Sequence, residues 1–170
     1  MTVREVDYLM QDKSQWYIGA VNGVVVCVDR WSDTQVAGRF YHSYSADGEL
    51  FSSVEQLLFQ LEHFFDLLKF PYPSTNERYF QKVRHEAYSD KKKVKVMKDE
   101  ELLSKHGNLG NFIIRVQHRQ NSSWQGRITW MDQNKTLYFR SMWEMVKLID
   151  NALDSVSEQE DKAEEVSWFE

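Results

Sequence analysis

The sequence predicts an α+β fold of two tandem βββα repeats related by a pseudo-twofold, with antiparallel sheets each packed on one helix and an acidic C-terminal tail. Three observations predict it. Residues 24–65 (VVVCVDRW…) lie over residues 112–153 (FIIRVQHR…) without a gap, at an offset of 88. Both segments carry period-two apolar runs followed by the same helix-start signal. From Asp154 to Glu170 there are seven acidic residues against Lys162 alone, so the net charge of −5 resides there and the body is close to neutral.

In order along the chain, residues 1–70 form the first repeat. It opens with an extra strand, Trp16–Val21, turned by Asn22-Gly23, a two-residue hairpin signal. Val24–Trp31 is a β-branched run, Val36–Ser43 alternates, and Glu49–Phe51 is a short third strand after Asp47-Gly48. A helix starts at Ser53 with Gln56 three residues on, the capping-box spacing, and its stripe Leu57, Leu58, Leu61, Phe64, Phe65, Leu68 ends before Pro71. Residues 71–106 are a basic connector, with Leu102–His106 as a short helix before Gly107. Residues 107–154 form the second repeat: strands Phe112–Arg119, Trp124–Met131 and Thr136–Arg140, then a helix from Ser141 with Glu144 as its box partner and Met145, Val146, Ile149 and Leu153 inward. Residues 155–170 read as a solvated acidic tail whose Val166, Trp168 and Phe169 could dock. Identities between the repeats are few (Val28/Val116, Gly38/Gly126, Arg39/Arg127, Phe51/Phe139, Ser53/Ser141), but residue types agree widely.

Alternation sends Ile114, Val116, Trp124, Gly126, Ile128, Trp130, Leu137 and Phe139 to the core, with His118 in the same register. The opposite face of the second repeat then carries Arg115, Gln117 and Arg119, Gln125, Arg127 and Thr129, and Tyr138 and Arg140. Four arginines with amides and a phenol, and no carboxylate, form an anion-binding set, because guanidinium forks hold carboxylate or phosphate bidentately. The matching face of the first repeat (Val25, Cys27, Asp29, Trp31, Ala37, Arg39, Tyr41) is more apolar. It is made to be covered by the N-terminal segment, the connector or a second copy, which opens a homodimer.

Catalytic and metal patterns are missing from the chain. Cys27 reads as an inert half-buried thiol, and a single cysteine fits a reducing cytosol. His42, His63, His85, His106 and His118 have no metal-ligand spacing, and no phosphate-binding glycine loop occurs. Glu62 and Asp66, spaced i, i+4, read as a solvated helix face, and Lys91–Lys98 as a basic connector able to touch nucleic acid. No apolar run approaches the ~18 residues of a membrane span, and the N-terminus has no signal-peptide core.

The stretch Asn121, Ser123, Gly126 at a turn is similar to the N-x-S-x-x-G half of the cyclic-dinucleotide signature of PilZ domains, with Arg115 and Arg119 spaced as R-x-x-x-R. That resemblance implies a nucleotide sensor, although its arginine motif stands on the adjoining strand and the repeats do not make a six-stranded barrel. Arg119–Trp130 (RQNSSWQGRITW), then Phe139–Ser141 and an amphipathic helix, resembles an uncharacterised bacterial family of small proteins. This implies a bacterial cytosolic protein and no catalytic residue. The expectation is a non-catalytic, cytoplasmic adaptor or regulator without cofactor or metal, presenting its arginine face to an acidic protein or nucleic acid. The alternatives are a nucleotide-binding sensor and a structural dimerisation module.

Overall fold

The computed structural model describes residues 18–82 and 93–167. The elements are β1 (Val24–Trp31), β2 (Val36–Tyr41), β3 (Glu49–Phe51), α1 (Val54–Leu68), α2 (Asp99–Leu103), β4 (Gly110–His118), β5 (Gln125–Trp130), a 3₁₀ turn at Met131–Gln133, β6 (Lys135–Phe139) and α3 (Met142–Ser167). The strands form one antiparallel sheet of six, in the order β3-β2-β1-β4-β5-β6. The two three-stranded sheets expected of the repeats meet edge to edge as one. They are joined because β1 and β4 would each be an exposed edge with unpaired backbone groups, and pairing them (Val24↔Ile114, Val26↔Phe112, Val28↔Gly110) closes both.

One face of the sheet carries the main core. Val24, Val26, Val28, Phe40, Phe51, Ile114, Val116, Ile128 and Phe139 pack there with Leu57, Leu61 and Phe65 of α1 and Met145, Ile149 and Leu153 of α3. On the other face Val25, Cys27 and Ile113 are covered by Ile18, Met97, Leu102 and Met131. The apolar face of the first half is therefore occupied from within the chain.

Helix α1 is capped as its sequence requires: Ser53 Oγ accepts from the Gln56 N–H at 3.0 Å, while Gln56 Oε1 accepts from the Ser52 N–H at 2.8 Å. It ends in a left-handed Lys69 (φ 52°). In α3, Ser141 Oγ accepts from the Glu144 N–H at 3.0 Å and Ser123 Oγ from the Met142 N–H at 2.8 Å. This helix does not stop at Leu153 but runs through the acidic stretch to Ser167, which contains neither glycine nor proline to end it. Trp168 and Phe169 lie outside the described residues.

Of the extra strand expected at 16–21, residues 16 and 17 lie outside the described residues, and 18–23 form an irregular segment with a turn at 21–22 rather than a strand. Asn22 is buried and its Nδ2 donates to the Val116 carbonyl at 2.8 Å. Asn22 thus ties this segment to β4 instead of starting a hairpin.

Two β-bulges decide which way the strand ends point. The β1–β2 register skips between Val28 and Arg30, and the β4–β5 register skips between Val116 and His118. One extra residue reverses the side-chain alternation beyond it. Opposite each bulge a glycine lets the backbones close up: a Cβ on Gly38 would stand 2.3 Å from the Cys27 carbonyl oxygen, and one on Gly126 2.0 Å from that of Arg115.

Candidate functional site

The bulge at Gln117 corrects the arginine face. Arg119 does not project outward with Arg115 but turns to the core side, where it is 3% exposed, and His118 is exposed rather than core-facing. The bulge at Asp29 likewise carries Trp31 from the outer face to the main core, where its indole N–H donates to Asp150 Oδ1 at 2.8 Å.

What remains on the outer face is a row fixed by register. Arg115 stands opposite Arg127, and Arg127 opposite Tyr138. The Arg127 guanidinium lies 5.9 Å from the centre of the Tyr138 ring, which is 68% exposed. Arg127 Nε is shielded from solvent and has no hydrogen-bond partner among the described residues. In the adjoining row the Thr129 and Thr136 hydroxyls are 2.9 Å apart.

The other expected members are elsewhere. Arg140 lies beyond β6 and is held by Glu144 at 2.9 Å; this hydrogen bond keeps the guanidinium protonated and the carboxyl below its usual range. Gln125 exchanges hydrogen bonds with the Gln120 backbone, both 3.0 Å, and so closes the turn. Gln117 is the exposed bulge residue. Asn121 and Ser122 both take φ 55°, which sharpens the turn and delivers Ser123 to the start of α3.

Arg119 builds a second region on the helix side of the sheet. Its Nη1 donates to Glu62 Oε1 at 3.0 Å and Asp66 Oδ1 at 2.7 Å, and its Nε to the Pro71 carbonyl at 2.6 Å. The Trp124 indole N–H donates to Glu62 Oε2 at 2.5 Å. The carboxylates read as a solvated helix face are thus the partners of a buried arginine. Beside this cluster, between α1, the 121–123 turn and the start of α3, opens a pocket of about 320 Å³. The signals in the sequence are Gly38 and Gly126, since a glycine inside a strand marks a bulge, and a bulge inverts the positions after it.

Burial pushes the Cys27 thiol up to about 12, opposed by Arg39. The buried His42 stacks on Phe64 at 4.2 Å and its Nδ1 accepts from the Tyr44 N–H; desolvation lowers its pKa, with Glu49 acting in the opposite direction. Among the described residues no group of His, Cys, Asp or Glu side chains is placed to hold a metal ion, and no helix is long and apolar enough to cross a membrane. Comparison with protein-family models, with curated proteins and with solved structures finds no match to this chain.

Proposed function

We propose that this chain is a non-catalytic bacterial adaptor of the cytosol. It is built from two copies of one βββα unit and presents Arg115, Arg127 and Tyr138 to a carboxylate-rich segment of a protein partner. The observation that carries the reading is the row itself. Arg115 and Arg127 stand directly opposite on neighbouring strands, a like-charge pairing that a carboxylate bound beside them would relieve, and the Arg127 guanidinium lies over the exposed Tyr138 ring. A single exposed aromatic in the row is too few to stack successive bases, which favours protein over single-stranded nucleic acid.

Support for the duplication comes from pairs at the same offset of 88 that do equivalent work. Val28↔Gly38 and Val116↔Gly126 both precede a bulge. Beyond the bulges, Trp31 reaches Asp150 on α3, while Arg119 reaches Glu62 on α1; Trp31/Arg119 and Glu62/Asp150 are corresponding positions. Each half thereby ties its first strand to the other half's helix. This cross-tie is what a pseudo-twofold around the β1–β4 pair produces.

The test is titration with an oligoglutamate peptide, with a cyclic dinucleotide and a single-stranded oligonucleotide as competitors, at low and at physiological salt. The peptide is expected to bind, to weaken as salt rises, and to lose about tenfold or more in affinity in Arg127→Glu. Failure to bind at low salt, preference for either competitor, or indifference to Arg127→Glu would overturn the reading.

A further inference from the structure

The pocket on the helix side is independent of that reading, because it lies across the sheet from the arginine row. Its walls are apolar and aromatic: Leu58 and Phe59 of α1, Trp124, and Met142 at the start of α3. Phe59 is 77% exposed, an aromatic ring held at the mouth with no core to fill. The charge of the lining is one-sided, with Glu55, Glu62 and Glu77 as acids and Arg119 as the sole base. Arg119 is already engaged with Glu62 and Asp66, and both oxygens of Glu62 accept, from Arg119 and from Trp124. Glu55 and Glu77, both exposed, face an incoming ligand, Glu77 with one oxygen accepting from the Tyr79 hydroxyl, and the Thr75 and Ser122 hydroxyls lie 3.1 Å apart.

The Tyr79 phenol, hydrogen-bonded to Glu77, is pushed up to about 12, first by that bond and further by desolvation and the charges of Glu77, Asp66 and Glu62. A volume of about 320 Å³ lies at the small end of small-molecule sites.

We propose that this pocket binds a small organic cation with an apolar body, the body against Phe59, Leu58 and Met142 and the ammonium or guanidinium between Glu55 and Glu77. Carboxylates and an aromatic face together favour a positive charge, while the apolar walls reject a bare, fully hydrated one. An anionic ligand would meet three carboxylates and a guanidinium already committed.

Phenethylammonium is the probe, with phenethyl alcohol and 3-phenylpropionate as the neutral and anionic analogues of the same shape, followed by Trp fluorescence and calorimetry on the full chain. The amine is expected to bind, the alcohol about tenfold more weakly, and the acid not measurably. Glu55→Gln/Glu77→Gln should bring the amine down to the level of the alcohol, and Phe59→Ala should weaken both. These exposed positions leave folding intact, checked by an unchanged thermal midpoint. Equal binding of amine and alcohol, no binding of the amine, indifference to the double variant, or binding of lysine- and arginine-containing peptides but not of the free amine would each overturn the proposal.

Discussion

The two halves of the sheet, β1–β3 and β4–β6, share a backbone plan and differ in what they set on the outer face. In the first half that face holds Val25 and Cys27 beneath Ile18, Met97 and Leu102, so it has become a second core. In the second half the corresponding strands carry Arg115, Arg127 and Tyr138. Arg39 and Arg127 occupy corresponding positions, yet Arg39 has Asp29 at 3.8 Å, whereas the Arg127 guanidinium rests on an exposed ring. One plan can thus serve packing in one half and, on the function proposed above, recognition in the other, because outer-face residues are not needed to hold the helices.

On the helix side the halves are mutually dependent, and the largest effect is expected where that dependence is ionic. Arg119→Ala leaves Glu62 and Asp66 without their buried partner and empties the space against Phe65, and should cost about 4 kcal/mol of unfolding free energy in denaturant melts. Trp31→Phe in the other half removes one neutral donor to Asp150 and should cost about 1 kcal/mol. Equal losses would show that the two ties are equivalent and that charge burial is not what distinguishes them.

Next in size are the glycines that face the bulges. Gly126→Ala and Gly38→Ala should each destabilise by about 3 kcal/mol. In both the added methyl meets a backbone carbonyl that cannot rotate away; at Gly38 it also meets the Phe51 ring, which can shift. A neutral effect at either position would mean that the strands are not in this register.

The smallest effect separates the halves by pH. His42 corresponds to Trp130, so only the first half titrates there. Burial lowers the His42 pKa below its ordinary 6.5, so between the folded value and 6.5 the unfolded chain binds a proton that the native state does not. Stability should therefore fall as pH drops from 7 through 6.5 and level off below the folded value. His42→Gln should remove that component of the slope, as read from urea midpoints across the range. An unchanged slope would place the titration elsewhere.

Much of the fold was legible because its signals are local. The β-branched run Val24–Trp31, the alternation over Trp124–Met131 and the capping residues at Ser53 and Ser141 depend on neighbours a few residues away. The site was less legible because it depends on a single inserted residue. Gln117 looks like any strand residue, yet by bulging it withdraws Arg119 from the anion-binding set and gives it to Glu62 and Asp66. Strict alternation therefore placed Arg115 and Arg127 on the face they occupy and misplaced Arg119, His118 and Trp31. Which edges join, β1 to β4, was left open for another reason: apolar strands report that they are buried, not which edge they pair with. The pocket was hidden because its walls come from four separate stretches of the chain.

The most direct measurement compares the corresponding arginines. Oligoglutamate affinity would be determined for Arg39→Glu and Arg127→Glu side by side, with thermal midpoints as the check on folding. Loss of about tenfold or more in Arg127→Glu with retention in Arg39→Glu is the predicted result. Equal loss in both, or none in either, would contradict a division of labour between the halves.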